Sequence, residues 1–444
     1  MIFKLKGFSS NASNQISLFL WVWFGQLISN VGTQLTLFAL GVVVYQHSQS
    51  VTQFAGMTLA IYLPPILLTP LAGYLTDRYP RRWIMILSDT GSMAGILILS
   101  GLLQWENTAS WQVYGLLGFS SACNSFHVPA YLAATTLMVP KTFLSRANGL
   151  VLVSHSLAQL SAPFAAGWLI LSLGLPGLVL LDCLSFLFML IILITVRFPE
   201  ITNTKPSSSH FSYYLLVNET IKGWQYIRQR PGLLALLLLM GMVYATLGVT
   251  EVLFTPLILS FATAKELGFL LSMAGGGWLV GSLIVSLWRN PPSFVLPIIG
   301  GIALQGWLLW GVGVDGIVKS FPIFIIGIFS YSLVCPIILG FSQTIWQKQV
   351  EVSVQGQVFA TRLAIEWSFR LFALGLAGWL ADSVFEPFFQ GDHWLLDQVA
   401  WLLGRGAGRG IAYLLSVMGF LNLLAAIASY RYSPLLKLDR QISH

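Results

Sequence analysis

The chain has 444 residues, 56% of them hydrophobic and only 9% charged, with a formal net charge of +7. Soluble globular chains carry about 25% charged residues, so the shortfall excludes a disordered chain, a fibrous repeat and an ordinary soluble enzyme. The positive charge does not mark a nucleic-acid surface, because Lys and Arg fall in short gaps between apolar runs.

A transmembrane helix takes roughly 20 apolar residues. In chain order the apolar runs predict twelve, near 18–45, 51–75, 83–104, 111–135, 147–173 and 176–196, then 233–260, 266–288, 293–313, 320–346, 356–382 and 410–432. They must be helices, since unpaired backbone groups are too costly in hydrocarbon and no alternating barrel pattern is present. The first run is too long for a signal-peptide core and lacks a cleavage pattern. The longest polar stretch, 197–231, carries the Ser207-Ser208-Ser209 run and separates six spans from six. The expected architecture is an all-α polytopic membrane protein. It has an N-terminal six-helix bundle over 1–196, a central loop over 197–231, and a C-terminal six-helix bundle over 232–444 with a long loop at 383–409.

With the N-terminus inside, seventeen of the 23 Lys and Arg lie in inner segments and four in outer ones. Basic residues favour the cytoplasmic side, so both termini are expected in the cytoplasm of a cell-membrane protein. Asn218 to Arg230 on the inside, and 383–409 with Phe388, Phe389, Trp394, Leu395 and Leu396 on the outside, read as amphipathic packing segments at the membrane surface. Cys123, Cys183 and Cys335 each sit in an apolar run, which suggests neither a disulfide framework nor a metal site.

Between spans two and three the chain reads Gly73-Tyr74-Leu75-Thr76-Asp77-Arg78-Tyr79-Pro80-Arg81-Arg82. Gly73 would let a neighbouring helix approach closely, and Asp77 can sit at the positive N-terminus of another helix. Arg81 and Arg82 supply inside-facing charge; the spacing alone equally fits a basic loop that only sets topology.

Gly-x-Leu-x-Asp-Arg-x-x-Arg-Arg after the second of twelve spans resembles the cytoplasmic signature of the major facilitator superfamily, departing from it at Pro80, where the family usually has Gly. Phe24-Gly25-Gln26-Leu27-Ile28-Ser29, Pro129-Ala130, Gln355-Gly356-Gln357-Val358 and Gly406-Ala407-Gly408-Arg409-Gly410 also fit. They are similar to the branch of macrolide-efflux proteins and the enterobactin exporter. The resemblance implies that Asp77 bonds to the start of span eleven, so that Gly73, Asp77, Arg78, Arg81 and Arg82 form a conformational latch, with Asp89 nearby. The second-half counterpart, Gly281 to Arg289, has Val285 in place of the Asp, so one latch is expected. In span five, Gly149, Ala158, Ala162, Pro163, Ala166 and Gly167 follow the superfamily's antiporter motif, with Ala at three positions usually Gly; an ordinary small-residue packing face reads the same way.

A charge at the centre of a span costs about 2.5–3.5 kcal/mol on the insertion scale. Span eleven carries Arg362, Glu366 and Arg370 at four-residue spacing, hence on roughly one face. Glu366 neutralises one Arg, Arg362 is shallow enough to snorkel to the inner surface, and net positive charge is expected to face inward. The triad is either a structural brace or a charge pair at a cavity wall. Asp182 in span six and Glu251 in span seven are, with Glu366, the candidates to carry a coupled proton, since low dielectric favours a neutral carboxyl; each equally admits a structural pairing. Gln26, Asn30 and Gln34 form a polar stripe on span one, and Asn124 stands on span four. The resemblance places spans one and four at the central cavity and makes these four residues substrate-contact candidates; hydrogen bonds that only join helices are the alternative.

No Gly-x-x-x-x-Gly-Lys-Ser/Thr loop is present, so ATP does not drive the chain. One proton crossing 100 mV and one pH unit supplies roughly 3.7 kcal/mol, enough for a gradient of about a few hundred-fold. The expected function is proton-coupled export of an amphipathic small molecule (a drug, siderophore or secondary metabolite) by alternating access. The rivals are an importer or lysophospholipid transporter of the same fold and an integral-membrane enzyme. The implied partners are the substrate, protons and the lipid bilayer, with no cofactor, metal or nucleic acid, and the chain is expected to act as a monomer.

Overall fold

The fifth helix, α5 (Leu144–Thr195), runs for 52 residues. At about 1.5 Å per residue it is more than twice as long as the roughly 30 Å of a bilayer core. Gly174 resolves the mismatch: φ of 63° and ψ of −173° break the helix at one residue and divide α5 into two limbs. Positive φ costs glycine nothing, and Pro176 follows at once.

The computed structural model describes residues 10–103, 109–140, 144–196, 213–288, 293–313, 320–351, 354–390 and 408–442. Ser207 to Ser209, Trp394, Leu395 and Leu396 lie outside these, as do the side chains of Asp77 and Gly149. The elements before α5 are α1 (Ser10–Ser48), α2 (Val51–Arg78), α3 (Arg81–Leu102) and α4 (Ser110–Met138). After it come α6 (Tyr213–Arg228), α7 (Pro231–Leu259), α8 (Ala264–Leu287), α9 (Val295–Val312), α10 (Phe321–Gln349) and α11 (Gln355–Leu380). A π-helical turn (Ala381–Phe385), α12 (Glu386–Gln390), α13 (Arg409–Arg431) and α14 (Ser433–Ile442) complete the described chain. Among the described residues ten helices are long and apolar enough to cross a membrane. The second limb of α5 adds one passage. So does α4, whose 29 residues are made less apolar by Ser120, Ser121, Asn124, Ser125 and His127. The fold is all-α and polytopic, with twelve passages.

The chain divides into two units. Met1–His47 and Gly56–Phe211 form the first, Ser48–Ala55 and Ser212–His444 the second. In the first, Phe19, Met85, Tyr131, Met138 and Met189 knit α1, α3, α4 and α5 into a core. In the second, Leu236, Met240, Ile302, Ile338 and Trp346 do the same for α7, α9 and α10. The stretch expected as a central loop contains α6, whose Ile227 joins the second core. Leu287, Trp111 and Phe372 are more than 70% exposed, as lipid-facing side chains are.

Lipid offers helices no hydrophobic gain for associating, so close backbone approach matters. A Cβ on Gly281 of α8 would sit 2.0 Å from the Leu333 carbonyl of α10, and one on Gly277 2.4 Å from that of Phe329. Beside Gly73, by contrast, a Cβ would meet none of the described residues within 4 Å.

Carboxylates close several helix N-termini, where unpaired N–H groups and the positive dipole end favour an anion. Asp382 accepts from the backbone N–H groups of Val51 (3.0 Å) and Thr52 (2.8 Å) and from the Ser50 hydroxyl (2.7 Å), binding the start of α2 into the second unit. Glu386 accepts from the Gly410 N–H at 2.9 Å at the start of α13. Asp439 of α14 accepts from Phe294 and Val295 at the head of α9.

Candidate functional site

In the first unit, α1 turns Gln26, Ser29, Asn30, Thr33, Thr36 and Leu37 to one side, a spacing of three and four that holds one helical face. Facing them are Asp89, Ser92, Met93 and Ile96 of α3, Leu117, Ser120, Ser121 and Asn124 of α4, Asp182 and Phe186 of α5, and Ile61 of α2. They line a cleft partly open to solvent. Hydroxyls satisfy one another along its wall: Ser120 donates to the Ser92 carbonyl at 2.9 Å, and the two side chains lie 2.7 Å apart.

Three expected residues, Gln26, Asn30 and Asn124, line this cleft; Gln34 does not. Four residues turn a helix by about 400°, so a strict four-residue stripe drifts off its face, and Thr33 takes the place expected for Gln34. Asp89 stands two turns into α3 and lies 2.6 Å from Nδ1 of the buried His127. Asp182 is 2% exposed. The Thr33 hydroxyl donates to it at 3.4 Å, and the Ser185 hydroxyl donates to its backbone carbonyl at 2.7 Å. Gly32 lets α1 come this close, for a Cβ there would lie 2.9 Å from the Asp182 carboxylate.

The second unit carries a ladder of charges. Arg362 of α11 donates through Nε to Glu366 at 2.7 Å and through Nη1 to Gln343 of α10 at 2.8 Å. Its guanidinium lies 5.2 Å from the Trp346 ring centre. The Tyr244 hydroxyl of α7 is a further hydrogen-bond partner of Glu366. Two turns along, Arg370 donates to Glu251 of α7 at 2.6 Å and lies 4.9 Å from the Trp367 ring. Gly248 of α7 makes room for this approach, since a Cβ there would be 2.5 Å from the Arg370 carbonyl.

Two expectations change here. Arg362 is 3% exposed, held inward by Glu366 and Gln343 instead of snorkelling. Glu251 supplies the fourth charge, so the ladder balances two guanidinium groups with two carboxylates and has no net positive charge. The pairing was hidden because Glu251 is 119 residues from Arg370.

At the signature loop, Arg81 donates to the Ala133 carbonyl near the end of α4 at 2.7 Å, and Arg82 to that of Ile194 near the end of α5 at 2.6 Å. Both cations thus sit at helix C-termini, where the dipole is negative. The Arg78 guanidinium lies 4.3 Å from the Tyr74 ring centre. In the first limb of α5, Ala158, Ala162 and Ala166 are fully buried, Gly167 is buried and Pro163 is half-buried. Among the described residues no group of three His, Cys, Asp or Glu side chains is placed to hold a metal ion.

Comparison with known proteins matches residues 22–365 to the family model of the Major Facilitator Superfamily. Macrolide efflux protein A of Streptococcus pyogenes is 24% identical over 383 residues, 85% of this chain and 91% of that one. The protein of the same name from Enterococcus faecalis is 26% identical over 310 residues, 69% of this chain and 94% of that one. Among solved structures, the nucleoside transporter NupG superposes with a TM-score of 0.70 at 11% identity, covering 94% of this chain and 99% of that one. A bacterial homologue of the iron transporter ferroportin in the inward-facing state gives 0.65 at 15% identity, covering 93% and 98%. With a family match over most of its length and a shared twelve-passage fold, the chain belongs to the Major Facilitator Superfamily, as a multi-pass membrane transporter rather than an enzyme.

Proposed function

We propose that the chain exports amphipathic small molecules across the cell membrane in exchange for protons, by alternating access, with Asp182 carrying the proton. One observation supports Asp182 above the other candidates. Glu366 and Glu251 are each paired with an arginine, so taking up a proton there gives up an ion pair. Asp182 is bonded to hydroxyls in a cleft open to solvent, where gaining a proton breaks no ion pair.

In this reading Gln26, Asn30 and Asn124 contact the substrate, the ladder from Arg362 to Glu251 braces the second unit, and both termini face the cytoplasm. The loop from Gly73 to Arg82 acts as the latch through Asp77. Export is favoured by the relatives' names, and macrolides are the first substrates to test. The experiment is macrolide flux in proteoliposomes of the purified monomer under an imposed pH gradient. Asp182→Asn is expected to abolish gradient-driven accumulation while sparing downhill flux; Asp77→Asn is expected to slow both. Unchanged accumulation in Asp182→Asn removes it as the coupling acid.

A further inference from the structure

We infer that α6 is a docking surface for anionic phospholipid: Lys222 and Arg228 take the phosphate, and Trp224 and Ile221 enter the boundary of the acyl chains. The inference is independent of the reading of Asp182.

One side of α6 is given to protein. Gly223 and Ile227 are buried, and Ile227 joins the core of the second unit. A Cβ on Gly223 would lie 2.6 Å from the Gln357 carbonyl, so α6 lies directly on the first turns of α11. At about 100° per residue, the rest of its circumference carries Trp224, Arg228, Ile221, Gln225 and Lys222 in that order. All five are exposed, Ile221 by 49% and Trp224 by 39%. Cations and large apolar side chains thus alternate on one outward face.

The two cations are uncommitted. Among the described residues neither Lys222 nor Arg228 forms an ion pair. Other cations that sit beside helix ends are already engaged: Arg230 lies 3.6 Å from the Tyr226 ring centre, and Arg81 and Arg82 donate to the carbonyls of Ala133 and Ile194.

Position and charge select the occupant. Only Gln229 and Arg230 separate α6 from Pro231, where the apolar helix α7 begins, so α6 lies at the edge of a span. Trp is favoured at the headgroup level of a bilayer. A helix with Lys and Arg beside Trp and Ile suits that boundary, where its apolar side chains leave water and its cations meet phosphate. Each cation near an anionic surface adds to binding. A soluble anion would answer Lys222 and Arg228 and leave Trp224 and Ile221 wet. A zwitterionic lipid would cover the apolar pair without net charge for the cations. Through Gly223 and Gln357, lipid held on α6 bears on α11, the helix that carries Arg362, Glu366 and Arg370.

The test is native mass spectrometry of the full chain, titrated with dioleoyl phosphatidylglycerol and with dioleoyl phosphatidylcholine. The wild type is expected to bind phosphatidylglycerol about thirtyfold more tightly, the combined worth of two cations. Lys222→Gln with Arg228→Gln reduces the preference to a few-fold. Arg431→Gln with Lys437→Gln, which removes two exposed charges elsewhere in the second unit, keeps it. Trp224→Ala weakens both lipids several-fold and leaves their ratio unchanged. Glycerophosphoglycerol, the headgroup without acyl chains, fails to displace the lipid. A wild type that does not distinguish the lipids, or an equal loss in the two double variants, overturns the inference. So does displacement by the free headgroup, which would make the face a site for soluble anions. A dimer that Lys222→Gln with Arg228→Gln dissolves would seat a second copy of the chain there and overturn it likewise.

Discussion

Arg370 of α11 and Glu251 of α7 meet at 2.6 Å, and their pairing makes the charges of the second unit's ladder balance. Their side chains are 18% and 27% exposed, so solvent screening weakens the pair without abolishing it. Arg370→Ala is expected to lower stability by about 1–3 kcal/mol, as loss of a hydrogen bond to a charged group does. The exchange Arg370→Glu with Glu251→Arg restores most of it. Thermal unfolding in detergent checks this, and equal midpoints for the single variant and the exchange would show that the pair contributes nothing.

Arg362 and Glu366 lie deeper, with side chains 4% and 0% exposed. Removing one charge from a buried pair strands the other, at about 3–5 kcal/mol. Glu366→Gln should therefore lose most of the folded yield. The double replacement Arg362→Met with Glu366→Met should lose far less, since the stranded charge is gone. Size-exclusion recovery after mild heating separates the two outcomes; a double variant no better than the single one contradicts the argument.

Gly281 and Gly73 hold matching places in the two halves and meet opposite surroundings. Gly281→Ala drives a methyl into the Leu333 carbonyl at 2.0 Å, which forces α8 and α10 apart at a cost of about 1–3 kcal/mol. Gly73→Ala enters open space inside a helix and is expected to be neutral or to gain about 0.5–1 kcal/mol. Unfolding midpoints for both test the packing. Flux through Gly73→Ala reads the latch separately, because a stable variant that transports slowly locates the defect in the cycle.

Asp382 holds the first turn of α2 through two backbone N–H groups and the Ser50 hydroxyl. Asp382→Ala is expected to cost about 1–2 kcal/mol, the usual loss for an N-terminal cap. Hydrogen exchange at Val51 and Thr52 should quicken, with Asp382→Asn in between. Unaltered exchange at both amides in Asp382→Ala would show that the carboxylate does not hold the turn.

The fold was legible because a span announces itself by its own composition, and the break at Gly174 falls between the runs 147–173 and 176–196. Within the cleft, Gln26, Asn30, Asn124 and Asp182 stood out as polar residues in apolar runs. Partners did not, because spacing along a chain says nothing about which distant helix lies opposite. His127 and Asp89 are far apart in the sequence, and only the packing of α3 on α4 joins them. Asp382, at the end of the run 356–382, and Glu386 just beyond it gave no sign of their role, since the helix starts they cap lie elsewhere in the chain.

The boundary at Gly174 has a practical bearing on mapping the protein. One residue with φ of 63° carries the chain from one limb of α5 to the next, so that junction offers a protease no loop to cut and an inserted epitope no slack. Tags placed there would report the damage they cause. Sidedness is better read from the longer polar stretches, above all the 197–212 segment ahead of α6.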